Sequence, residues 1–284
     1  MRFIGGALAG PVGGGVARAA LRALQDNPAL ERTNFRGRTV SLAGGPALAL
    51  GATAGAIVHR PEHAAANAIA GLGAGAVGLY DDLVGGRPEH AAKGFRGHLG
   101  ALRQGRVTSG LVKIAGVGAA GLAAAALLPR KRGIDVLLGA GVIAGAANLF
   151  NLLDLRPGRA LKAGLAAGTP LGASGPLGAA GALLPADLDE RIMLGDAGAN
   201  ALGALLGTAY TARAGTFGRL AALAGIVALT AASEKVSFTR VIEGHPVLNA
   251  VDQWGRRQED SNNSEMSGKP AESKPRKPSP YPRG

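Results

Sequence analysis

Long uncharged stretches alternate with short charged ones along this chain. Segments 3–21, 42–59, 64–80, 109–129, 134–153, 197–212 and 218–232 approach or exceed the run of about 18 apolar residues that reads as a membrane helix. Ala and Gly supply much of that apolarity, so regular recurrence argues more strongly than any one segment. A soluble Ala/Gly-rich helical protein would need a charged stripe along its helices; 109–129 has a single lysine and no other charge. Residues 159–185 fit less well, because they must leave and regain one side with limbs of about 20 Å, short of a hydrocarbon core of about 30 Å. They also contain 168-GTPLGASGPLG-178. The pattern predicts a short or re-entrant pair there, protected by neighbouring helices.

After the last apolar run, 234-EKVSFTRVIEGHPVLNAVDQWGRR-257 spaces Val236, Phe238, Val241, Ile242, Val247, Leu248, Val251 and Trp254 as one or two short amphipathic helices would. Trp and Arg at such a place anchor to headgroups. Residues 258–284 are polar and rich in Ser, Pro, Lys and Glu, and predict a disordered tail. The expected architecture is all-α: a polytopic membrane bundle of about 8–10 helices over residues 1–233, an amphipathic cytoplasmic segment over 234–257 and a cytoplasmic tail over 258–284.

Charge refines this picture. The 284 residues include no cysteine, so a disulfide framework and Cys-type metal sites are excluded. The formal net charge of +12 sits mostly in loops, which points to lipid and not to nucleic acid. The basic stretches 32-RTNFRGR-38, 87–106 and 156-RPGRALK-162 fall on one side if 42–59 with 64–80, and 109–129 with 134–153, are hairpins. Arg60, 130-RKR-132, Arg213 and Arg219 fall on the other. The positive-inside bias then places the three basic loops in the cytoplasm and the N-terminus outside, in a cell membrane; 130-RKR-132 opposes that assignment.

Four polar motifs share the predicted cytoplasmic face: the basic stretch 32–38, 81-DD-82, 148-NLFNLLD-154 and 195-GDAGAN-200. Asn148, Asn151 and Asp154 recur every third residue and lie along one side of a helix end. Each motif alone also reads as a polar helix end. Together, in a chain with few other acids, they supply the hard oxygen ligands that Mg²⁺ prefers, and the basic residues around them suit a polyanionic substrate. The chemistry suggested is phosphoryl transfer.

These motifs resemble, in order and over about residues 32–212, those of the polyprenyl-phosphate sugar-1-phosphate transferases, which include phospho-N-acetylmuramoyl-pentapeptide transferase and undecaprenyl-phosphate N-acetylglucosamine-1-phosphate transferase. The family's basic stretch ending in Gly-Gly is similar to 34-NFRGRTVSLAGG-45, its acidic pair to Asp81 and Asp82, its N-x-x-N-x-x-D string to Asn148, Asn151 and Asp154, and its M-G-D segment to 193-MLGDAGA-199. The resemblance implies a multi-helix membrane enzyme of cell-wall or envelope polysaccharide biosynthesis. It would move a phospho-sugar from a UDP-sugar to polyprenyl phosphate with Mg²⁺ and release UMP.

By motif position, Asp81 and Asp82 would orient or deprotonate the lipid phosphate. Asp196 would lead the Mg²⁺ ligands, Asp154 and Asn151 would sit at metal and diphosphate, and Lys93 and Arg38 would contact phosphates. A homodimer stays open. Two features depart from the family's pattern: Pro157 stands where a second aspartate is usual, and 234–246, with His245 alone, stands where a histidine cluster is usual. A catalytically degenerate relative that binds lipid phosphate or nucleotide, and a transporter or structural membrane protein, are the alternatives.

Overall fold

The computed structural model describes residues 2–85, 108–129 and 132–257. Lys93, the basic stretch 87–106 and the predicted tail 258–284 lie outside the described residues. The described residues are all-α apart from one short hairpin, β1 (Glu31–Thr33) with β2 (Thr39–Ser41). The helices are α1 (Arg2–Leu24), α2 (Gly44–His59), α3 (Ala64–Ala68), α4 (Ala74–Val84), α5 (Ser109–Leu127) and α6 (Gly133–Leu153). They continue as α7 (Arg159–Gly168), α8 (Ser174–Leu188), α9 (Gly195–Thr211), α10 (Thr216–Ser233), α11 (Phe238–Glu243) and α12 (Pro246–Gln253). A π-helical turn, Ile69–Gly73, joins α3 to α4.

The long helices run between two ends. Gly44 and Gly45 lie against Met193 and Leu194 at one end, and His59 reaches Ser174 at the other. The 16 residues of α2 separate these ends by about 24 Å. α9 is the axis, packed against α2, α4 and α6 and buried almost throughout from Ala197 to Thr208.

Small residues make this packing dense. A Cβ on Gly175 of α8 would lie 2.1 Å from the Gly55 carbonyl carbon of α2, and one on Gly13 of α1 would lie 2.4 Å from the Gly175 oxygen. Backbones touch at these crossings, the close approach that Gly-rich helices permit. Leu48, Leu161, Leu183, Leu202 and Leu205 fill the remaining core.

α5, α6 and α10 are long and apolar enough to cross a membrane, with mean hydropathy of 1.7, 1.9 and 1.5. Their outer faces carry Ile114, Leu122, Leu137, Phe217, Leu220 and Val227 in exposed positions. Among the described residues these three meet the measure, fewer than the about 8–10 expected; α2, α8 and α9, of 16, 15 and 17 residues and rich in Gly and Ala, are too short for it. The weakly fitting segment 159–185 is a short pair, α7 of 10 residues and α8 of 15, covered by α1, α2 and α6.

The segment 234–257 forms α11 and α12 as the spacing predicts. It is tied to the bundle through a buried network. Arg159 holds both Asp252 carboxylate oxygens at 2.8 and 2.9 Å, Arg256 reaches Asp252 at 2.6 Å, and Lys162 donates to the carbonyls of Val251, Asp252 and Trp254.

Candidate functional site

The site grows from the meeting of α4 and α9. β2 bridges to the strand-like segment before α9, with Met193 N donating to Ser41 O at 2.9 Å and Ser41 N to Arg191 O at 3.1 Å. The chain then turns at Gly195, whose φ of +57° favours glycine. A Cβ there would stand 2.8 Å from the Asp82 carboxylate. That clearance lets Asp82 cap α9: its two oxygens accept from the backbone N–H groups of Asp196 at 2.9 Å and Ala197 at 3.0 Å. Arg32 of β1 donates to the Asp82 carbonyl at 3.1 Å.

Beside this cap, Asp81 and Asp196 close on one cation. The Lys113 ammonium, from α5, forms an ion pair with Asp196 and lies 3.5 Å from Asp81. Burial opposes the Asp81 charge, yet hydrogen bonds from Asp196 and Ser109 together with Lys113 hold its carboxyl below the ordinary range. Burial raises Asp196 despite Lys113, with Asp81 adding to the rise. Asp82 is pushed up to about 7, by burial first and then by Asp196.

A cavity of about 420 Å³ opens next to these groups, lined by Asp81, Lys113, Ile114, Val117, Asn148 and Asn200. Asn200 is 1 % exposed, and neither its amide nitrogen nor its oxygen has a partner. A buried amide left unpaired costs about 1–3 kcal/mol, so this one is poised for a ligand or water. The cavity thus joins an apolar wall to a polar, charged head.

A second cavity, of about 220 Å³, lies toward β1–β2 and is lined in part by Phe35, Asp154, Arg156, Asp187 and Glu190. Burial raises Asp154 well above the ordinary range, with the charges of Asp187, Asp196 and Asp82 adding to it. Asp187 accepts from Gly158 N at 2.7 Å, and burial pushes it up to about 7. Arg36 pairs with Glu190 at 2.5 Å, and Arg156 stacks 4.5 Å over the Phe35 ring.

Among the residues read from the sequence, Asp81, Asp82, Asp154 and Asp196 converge at one end. The N-x-x-N-x-x-D string is divided: Asn148 lines the first cavity, Asp154 the second, and Asn151 neither. Arg38 sits in the β1–β2 turn, its backbone paired with Asn34, and lines neither cavity. Lys93 lies outside the described residues. Sequence reasoning missed Lys113, Asn200 and Asp187. The lone lysine in an uncharged segment was the available signal for Lys113, and the asparagine closing 195-GDAGAN-200 that for Asn200.

Among the described residues no group of three or more His, Asp or Glu side chains is placed to hold a metal ion. Asp81 and Asp196 nevertheless already share a cation, and a Mg²⁺ site asks the protein for only one or two carboxylates, with phosphate and water supplying the rest. These carboxylates are donors of the right type, and Mg²⁺ would take the place that the Lys113 ammonium holds between them. Comparisons with protein-family models, curated proteins and solved structures find no match for this chain.

Proposed function

We propose that the protein is a polytopic membrane transferase that moves a sugar-1-phosphate from a UDP-sugar to a polyprenyl phosphate. One observation carries the reading: Asp81, Lys113 and Asp196 form a charged cluster at the head of an apolar cavity that also holds the unpartnered Asn200. A ligand with a phosphate head and an isoprenoid tail matches that division. In the reaction, a lipid phosphate oxygen attacks the β-phosphorus of the UDP-sugar. The bond from that phosphorus to the bridging oxygen breaks, and UMP leaves with the electron pair.

Lys113 would hold the lipid phosphate against Asp81, and Asp81 would orient it or take its proton. Asp82 would keep α9 and Asp196 in place through its two N–H bonds. Asp196 and Asp81, or Asp154 from the second cavity, would hold Mg²⁺, which offsets charge on the transferring phosphoryl group when bound. The second cavity, with its Phe35–Arg156 stack, would receive the nucleotide side of the donor.

Purified protein with Mg²⁺, undecaprenyl phosphate and a panel of UDP-sugars should release UMP from at least one sugar. Chelator should stop the release, and Asp196→Asn should abolish it with the protein still folded. A second reading rests on Pro157 and on His245 standing alone where a histidine cluster is usual: a relative that binds lipid phosphate or nucleotide without turnover. Binding together with no UMP from any sugar, beside an active related enzyme, would favour that reading.

A further inference from the structure

The end of the bundle remote from Asp81 and Asp196 carries a second charged cavity. It is small, about 70 Å³, and its lining includes His59, Arg60, His63, Asn67 and Arg213. Those residues come from the C-terminus of α2, the turn after it, the end of α3 and the segment following α9. Two guanidiniums and two imidazoles therefore meet in one place. Arg60 and Arg213 both act electrostatically on His59 and on His63. The carboxylate beside them is Glu62, which is exposed at the rim and 3.4 Å from Arg60.

Two further observations point to an oxyanion as the ligand. The His59 ring is held by Ser174, with Nδ1 and Oγ 3.1 Å apart, while its Nε2 is buried with no partner. An unpaired buried ring nitrogen is costly, and a bound ion or water is its usual explanation. Arg213, for its part, donates to Ala209 O at 2.8 Å at the end of α9. That bond uses one of five guanidinium donors and leaves an arrangement suited to oxyanion recognition. The cavity has room for about two waters, at roughly 30 Å³ each, which suits one tetrahedral oxyanion and not a nucleotide.

We propose that His59, Arg60, His63 and Arg213 form a phosphate-binding site at this end of the molecule, separate from the Asp81–Asp196 cluster. The ligand class is an ionised phosphate group, either free inorganic phosphate or the headgroup of an anionic phospholipid. A phosphate there would lower the repulsion between Arg60 and Arg213 and give the His59 Nε2–H an acceptor.

The test is thermal unfolding of the full chain in detergent, titrated with inorganic phosphate. Unfolding is then compared in nanodiscs of pure phosphatidylcholine and of phosphatidylcholine with phosphatidic acid. Phosphate should raise the wild-type midpoint, and Arg213→Gln should weaken the apparent affinity about tenfold or more. Arg60→Gln, which alters a rim position, should weaken it likewise and serves if Arg213→Gln does not fold. Asp196→Asn should respond as wild type does, which separates this site from the acidic cluster. Stabilisation by phosphatidic acid alone, lost in the same variants, assigns the site to a lipid headgroup. Neither ligand stabilising the wild type, or equal stabilisation of wild type and both arginine variants, would overturn the proposal.

Discussion

At the scale of single residues, Lys113 is the group on which the acidic cluster depends. It is the cation shared by Asp81 and Asp196, and without it two carboxylates in contact repel each other. Under the proposed transferase function, Lys113→Met should lower UMP release by about 100-fold or more, measured against Lys113→Arg, which keeps the charge and should retain part of the rate. Asp187 makes a different prediction. Its carboxyl is raised to about 7, so the folded state holds a proton that the unfolded chain has released above its ordinary range. Stability from this group is therefore present at acid pH and is lost as pH rises from about 4 through about 7. Asp187→Asn keeps an acceptor for Gly158 without a buried charge. It should unfold later than wild type at pH 8, by up to about 4 kcal/mol, and show no such gain at pH 4, as thermal scans at the two values will show.

At the scale of elements, two contacts set how helices sit on one another. The backbones of α2 and α8 touch at Gly55 and Gly175, so a larger side chain has no space. Gly175→Val should destabilise the protein by about 1–3 kcal/mol or more through overpacking, whereas Gly181→Ala, on the same helix with nothing near its Cβ, should be near neutral in the same melting assay. The arm α11–α12 depends on Asp252, which lies buried between Arg159 and Arg256. Asp252→Asn leaves two guanidiniums short of their counter-charge, a change that costs about 3–5 kcal/mol at buried pairs. Trypsin should then cut at Arg240 much faster than in wild type. Asp189→Asn is the control, because its pair with Arg191 is exposed and contributes little.

At the scale of the whole molecule, the two ends differ in chemistry. One gathers Asp81, Asp154, Asp196 and the basic residues of 32–38 and 156–162; the other holds Arg60, Arg132, Arg213 and Arg219. The chain has no cysteine, so single cysteines can report on the two ends without background. Cysteines placed at Glu62 and at Ser237 should react with an impermeant maleimide from opposite faces of sealed membrane vesicles, Ser237 from the cytoplasmic face. Labelling of both from one face would remove the proposed membrane arrangement. The fold was largely legible at this scale. The apolar segments 42–59, 109–129, 134–153 and 218–232 each became one helix within a few residues, and 234–257 became two short ones. The site was legible as to its acids and not as to their partners. Lys113 is more than 80 positions from Asp196 in sequence, and their pairing depends on how α5 packs beside α4 and α9.

The sequence by itself determined the helices, their order and the end at which Asp81, Asp82, Asp154 and Asp196 gather, because apolar run length and loop charge are local properties of the chain. Only the tertiary structure decided what those acids do. Packing turned Asp82 into the cap of α9, gave Asp196 and Asp81 to Lys113, sent Asn148 and Asp154 to different cavities, and left Asn200 and His59 with buried polar atoms unpaired. Each of these outcomes depends on contacts between residues distant in the chain, and their distances are set by helix crossings that residue spacing does not encode.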